Sequence, residues 1–291
     1  MTILVTGANG QLGRSVCERL AAADTSYVGL GSKQLDIGDQ AAVTAQFDSK
    51  EYTAIINCAA YTAVDKAESE PELAYRVNHQ GAAHLAAAAV AADIPLLHVS
   101  TDYVFDGSKE GAYTPEDVTN PLGVYGASKL AGEQAIVASG CRYLIVRTAW
   151  VFSEYGNNFV KTMLRLGAER DELSIVADQV GSPTYAGDLA DLLIKAAEKM
   201  VARDSALENK IAHFGGSPAC SWYEFAQVIF ASAKQTSQLE KEPVLVPIAT
   251  CDYPTAAARP ANSTLDSQAA EELLQLMPSD WQRGLLQAVK V

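Results

Sequence analysis

Two residues four positions apart, Tyr125 and Lys129 in the run YGASK, carry the clearest chemistry in the chain. On a helix that spacing is about one turn, so both side chains leave the same face and act on one small volume. A free phenol titrates near ~10, and an ammonium beside it favours the phenolate and draws that value toward neutrality. The pair suits acid-base work at an alcohol or carbonyl. The same spacing also occurs on ordinary exposed helices, so the surrounding elements must decide.

The N-terminal run TGANGQLG supplies the first of these elements. A strand ends at Thr6, and Gly7, Asn9, Gly10, Gln11, Leu12 and Gly13 form the turn and opening of a helix. Glycine there lets the backbone approach a pyrophosphate, and the helix terminus offers unpaired amides and partial positive charge. The spacing is GxxGxxG, not the GxGxxG of ordinary dinucleotide folds. After the second strand, an acidic residue would bond the ribose hydroxyls and repel a 2'-phosphate. Here Ser32 and Lys33 stand in that place, which predicts NADPH use with room for NADH. Asp36 and Ile37 follow as candidates to meet the adenine.

Apolar runs at Ile3–Thr6, Tyr27–Leu30, Ala54–Cys58, Leu96–Ser100 and Tyr143–Thr148 read as strands. They alternate with helix-length segments at Gly13–Ala23, Gln40–Phe47, Leu73–Ala92 and Gly126–Ser139. This rhythm predicts an α/β fold, a doubly wound parallel sheet covered by helices on both faces. Past Trp150 it loosens into helices at Phe159–Leu166, Leu189–Met200 and Trp222–Ala233, strands at Leu173–Val176 and Ile211–Phe214, and a helical stretch after Asp266. The expected organisation is a dinucleotide-binding domain over residues 1–150 and a smaller C-terminal substrate-binding lobe over 151–291, with some segments returning to the sheet.

Composition removes several classes. At 291 residues and 48% hydrophobic the chain can bury a large core, and a net charge of -13 opposes nucleic-acid binding. The five cysteines show no zinc-like spacing with the four histidines, and no metal is expected. No apolar stretch reaches the ~20 residues that a membrane helix requires, and no leader pattern opens the chain. These readings predict a cytoplasmic protein with reduced thiols. An anionic substrate would need local cations, and Asn158, Lys161, Arg165 and Arg259 are the candidates for a nucleotide diphosphate, Arg259 foremost.

Taken in order, TGANGQLG, CAAYTAVDKAE, YRVNHQG, STDYVFDG and YGASK resemble the extended short-chain dehydrogenases, and RTAWVF, NNFVKTMLRL, DQVGSPTYAGDLA and RPANSTLD extend the likeness to Asp266. The resemblance implies a Rossmann fold of the extended type. It implies that Ala59, Ala60, Tyr61 and Thr62 pack on the cofactor, that Val64, Asp65 and Lys66 lie near the substrate, and that Asn78 supports the helix and water chain near Lys129. By the same likeness Thr101 bonds the sugar C4 oxygen, Asp102 and Tyr103 contact the substrate, and Trp150 shapes the sugar pocket. Related dehydratases carry an Asp-Glu pair after the threonine; Tyr103 replaces that glutamate, so dehydration lacks its base. Arg14 and Ser15 open the first helix, so a metal site that some relatives build from acidic residues there is not carried over.

The implied reaction is NAD(P)H-dependent reduction of the C4 ketone of dTDP-4-dehydro-L-rhamnose to dTDP-L-rhamnose. Thr101, Tyr125 and Lys129 would be the catalytic residues, the nucleotide sugar the partner, and the chain a monomer or homodimer. Two other readings stand: a reductase of another nucleotide 4-keto-6-deoxysugar, and a non-catalytic dinucleotide-binding regulatory subunit such as that of methionine adenosyltransferase.

Overall fold

Strands that are apolar along their whole length are buried on both faces, and in the computed structural model six of them form one parallel sheet. The structure describes residues 1–239, 241–276 and 279–290. The sheet strands are β1 (Thr2–Thr6), β2 (Ser26–Leu30), β3 (Ala54–Asn57), β4 (Leu96–Thr101), β5 (Tyr143–Thr148) and β6 (Lys210–His213). Their spatial order is β6-β5-β4-β3-β1-β2. The chain first moves outward from β1 to β2, then returns to the other side of β1 at β3. Such a reversal opens a crevice at the carboxyl ends of the two strands, where ligands of open α/β sheets bind.

The helices are α1 (Gln11–Ala22), α2 (Gln40–Ser49), α3 (Gly81–Ala92), α4 (Val124–Ser139), α5 (Phe159–Glu169), α6 (Ala186–Val201), α7 (Trp222–Gln235), α8 (Gln268–Leu274) and α9 (Trp281–Ala288). One face of the sheet packs on α1, α6 and α8 through Val16, Leu20, Leu189, Leu193 and Leu274. The other packs on α2, α3 and α4 through Val43, Leu85 and Ile136. A separate core of Phe152, Met163, Ile175, Phe225, Phe230 and Trp281 gathers α5, α7 and α9. Thus β6 and α6 belong to the large sheet although they lie late in the chain.

The strands match the sequence reading to within a residue at each end. The helix expected over Leu73–Ala92 is divided: a short helix Pro71–Tyr75, a π-turn Arg76–Gln80, then α3. The reason lies in Asn78. Its amide bonds the backbone N–H and carbonyl of Tyr61 and the Ser128 hydroxyl, so one extra residue is drawn out of the helical ladder toward the site. The strand Val244–Ile248, parallel to Glu172–Val176, was hidden from sequence by Pro247, which a two-stranded edge tolerates.

Candidate active site

The crevice between β1 and β3 is floored by glycine. Gly7 has φ +67°, and a Cβ there would meet the Ala59 nitrogen at 2.6 Å; a Cβ on Gly13 would meet the Gly7 carbonyl oxygen at 2.2 Å. Both backbones approach as only glycine permits. Gly10 caps α1 with no side chain bonded across the terminus, and no acidic residue occupies the first turn. The open amides and partial positive charge of that turn fit a pyrophosphate, so these residues suit a dinucleotide. The Leu12 side chain faces the core, which leaves only its backbone for such contact.

Ser32 and Lys33 are exposed just beyond β2, where the cofactor's ribose phosphate is expected. Asp36 pairs with Arg76 at 2.6 Å, and that guanidinium holds its carboxyl below the usual range. Ile37, expected at the adenine, is instead buried in the core, packed on Gly81. Apolar burial fixes that side chain, which leaves only the Ile37 backbone for contact with the adenine.

Helix α4 carries Tyr125 and Lys129, and several contacts set its place. Its N-cap, Gly123, has no side chain, and the Glu68 carboxylate accepts from the Val124 N–H at 2.8 Å instead. A Cβ on Gly126 would meet the Tyr103 carbonyl oxygen at 2.1 Å, so glycine lets α4 touch the turn after β4. The Tyr103 and Tyr125 rings meet edge to face, 5.4 Å apart. Two turns on, Glu133 pairs with Arg147 of β5 and accepts from the Ser100 hydroxyl.

Tyr125 therefore stands beside Thr101 at the carboxyl edge of the sheet. Burial pushes its phenol above the ordinary value, opposed by the Thr101 hydroxyl. This differs from the expected lowering by Lys129, because the Lys129 amine turns inward: Nζ donates to the Val99 carbonyl at 2.7 Å and lies 3.2 Å from His98 Nε2. Burial pushes Lys129 itself down to about 8. A protonated phenol with a hydroxyl beside it can still donate to a developing alkoxide.

Thr101 Oγ1 donates to Asp102 Oδ1 at 2.9 Å and accepts from the Tyr103 N–H at 3.2 Å. Asp102 is buried behind Thr101, so its direct partner is that hydroxyl, and burial lifts its carboxyl to about 6. Arg259 donates to the Tyr103 hydroxyl at 3.3 Å and to Asp65 at 2.7 Å, bringing a late loop over the crevice beside Val64. Trp150, at the end of β5, holds φ +48° and stacks on Trp222 with 3.4 Å between ring centroids. A left-handed backbone at so large a residue persists only where its surroundings impose it.

Other expected residues are engaged elsewhere. Asn158 caps α5 and spends its amide on Gln11 Oε1 and the carbonyls of Ser153 and Tyr155, so it fastens α1 to this loop. Arg165 is exposed and pairs with Glu169. The Tyr61 phenol donates to Glu70, leaving its backbone beside Ala59 and Ala60 at the end of β3. Sequence reading missed Asn57, Glu68, Glu133, Arg147 and Trp222, and treated His98 as an ordinary core residue. A polar residue inside an apolar strand signals Asn57, His98 and Arg147, as in PLLHVS, whereas Glu68, Glu133 and Trp222 carry no such mark.

A doubly wound sheet, a glycine cradle at its switch point and a Tyr-Lys helix beside a Thr at the end of β4 define an extended short-chain dehydrogenase/reductase. The family model described as RmlD substrate binding domain matches residues 1–291. A dTDP-4-dehydrorhamnose reductase of Aggregatibacter actinomycetemcomitans is 49% identical over 97% of this chain and 96% of its own length. The solved dTDP-4-dehydrorhamnose reductase of Clostridium acetobutylicum is 38% identical with TM-score 0.90, covering 99% of this chain and 98% of that one. That of Bacillus anthracis, in complex with NADP, is 39% identical with TM-score 0.88, covering 98% and 96%. The chain belongs to the dTDP-4-dehydrorhamnose reductase family. Among the described residues no helix is long and apolar enough to cross a membrane.

Proposed function

We propose that this chain reduces dTDP-4-dehydro-β-L-rhamnose to dTDP-β-L-rhamnose with NADPH, the last step of dTDP-rhamnose synthesis. The observation that carries this reading is the Tyr125 phenol standing beside the Thr101 hydroxyl at the end of β4, in a sheet whose first turn is a glycine cradle. When bound, NADPH supplies the hydride for the sugar C4. Tyr125 gives its proton to the C4 oxygen, and the Thr101 hydroxyl, turning its one proton from Asp102, donates a hydrogen bond to that oxygen as charge develops. Lys129 holds the nicotinamide ribose side of the cradle. The Arg259 fork, placed at the crevice by Asp65 and Tyr103, faces the diphosphate, and Trp150 braced by Trp222 walls the sugar pocket. Lys33 receives the 2'-phosphate, which leaves NADH as a second, poorer donor.

In this reading residues 1–150 hold the dinucleotide, and 151–291 mainly hold the sugar nucleotide. The enzyme works in the cytoplasm as a monomer or homodimer. The test is direct. Purified protein is mixed with NADPH or NADH and a panel of nucleotide 4-keto-6-deoxysugars; loss of reduced-nicotinamide absorbance and NMR of the product identify donor, acceptor and configuration. Turnover confined to another 4-ketosugar would reassign the substrate, and no oxidation with any of them would leave a binding subunit.

A further inference from the structure

A string of buried polar groups runs beneath the cradle from β1 to α4, and its hydrogen-bond directions are fixed from one end. The Ala59 N–H, a backbone group that can only donate, reaches Asn57 Oδ1 at 3.0 Å, and the Thr6 hydroxyl donates to the same oxygen at 2.6 Å. That assigns the Asn57 amide: its oxygen faces these donors, and its NH2 faces His98 Nδ1 at 2.8 Å. His98 Nδ1 must then accept. His98 is 1% exposed, and burial holds it well below its ordinary value, so the ring is neutral and its one proton sits on Nε2.

His98 Nε2–H points at Lys129 Nζ, 3.2 Å away. An ammonium has no lone pair and would set donor against donor, whereas the free amine accepts from His98 and still donates to Val99. We propose that His98 is a positioning residue that parks Lys129 as the free amine in the cofactor-free enzyme, so that NADPH binding is coupled to uptake of one proton from solvent. The amine takes that proton on Nζ and becomes the ammonium that binds ribose hydroxyls; nothing else is transferred. The proposal rests on Lys129 being the cofactor-side lysine.

The ionisable groups around Nζ agree. Burial pushes the amine down, while Glu133, one turn along α4, and Cys58 oppose it. Glu133 is already paired with Arg147, and Cys58, with Cys17 behind it, is pushed up by burial and stays a neutral thiol. Tyr125, one turn earlier, is likewise lifted and neutral. No unpaired anion among the described residues is left to hold Lys129 charged.

The experiment reads protons, not turnover, and uses no sugar, so failure of the assigned reaction leaves it intact. Calorimetric titration with NADPH at pH 9, where the amine near 8 is almost wholly unprotonated, in buffers of differing ionisation enthalpy is expected to show uptake of about one proton per cofactor bound. In H98Q the side-chain amide can turn its oxygen to an ammonium, and uptake is expected to fall toward none while NADPH still binds. Equal uptake in both proteins, or none in the native enzyme, overturns the proposal. Should H98Q not fold, nitrogen-15 NMR of the native imidazoles decides alone: His98 protonated on Nε2 supports it, and protonation on Nδ1 overturns it.

Discussion

Glu133 Oε2 and Arg147 Nη2 lie 2.7 Å apart, with 2% and 3% of their side chains exposed, and tie the helix of Tyr125 and Lys129 to β5. Removing one member of such a pair strands a charge in the interior. E133Q is expected to cost ~3–5 kcal/mol, read from the urea unfolding midpoint, while E133L combined with R147M recovers most of it. A loss under ~1 kcal/mol in the single variant would mean that the pair does not hold α4.

The phenol of Tyr125 is assigned the proton that completes the alcohol. Y125F is expected to lower kcat at least ~100-fold, the lower end of general acid catalysis, with NADPH affinity near that of the native enzyme. Stopped-flow turnover and fluorescence titration separate the two, and near-normal turnover would remove Tyr125 from the chemistry.

Asp102 carries a pH signature. Burial lifts its carboxyl from 3.8 to about 6, despite the hydrogen bond from Thr101. A folded-state value above the unfolded one favours the folded, protonated form. Its contribution is therefore complete below pH 3.8 and is lost as pH rises through about 6. D102N, which keeps an oxygen for Thr101 and cannot ionise, should gain stability relative to the native enzyme as pH rises from 4 to 7.5. Parallel Tm curves for the two proteins across that range would rule the assignment out.

Gly13 and Gly10 differ in what surrounds them. A Cβ on Gly13 would stand 2.2 Å from the Gly7 carbonyl oxygen, whereas on Gly10 it would stand 3.3 Å from the same atom. G13A is expected to lose ~1–3 kcal/mol of stability through overpacking and to weaken NADPH binding as the turn opens. G10A should unfold close to the native midpoint, and equal destabilisation of the two would contradict the geometry.

Much of this was legible beforehand for a local reason. Periodicity marks strands and helices, the glycine run marks the close turn, and a four-residue interval on α4 puts Tyr125 and Lys129 on one face. Asn158 and Arg165 were misplaced because a side chain's type says what it can bond, not which neighbour reaches it first. Here Gln11 and Glu169 reached them. The Ile37 side chain turned into the core because nearness to a ligand strand does not say which way a side chain points.

Sequence by itself determined the elements, their order and the chemical types at the crevice, since these depend on interactions along the chain. Only tertiary structure decided that Glu68 would cap α4, that Arg259 would cross from the far end of the chain to Tyr103, and that Asn57 would orient His98 against Lys129. Those contacts join segments on different strands and loops, and their hydrogen-bond directions exist only once the backbone around Asn57 is fixed in space.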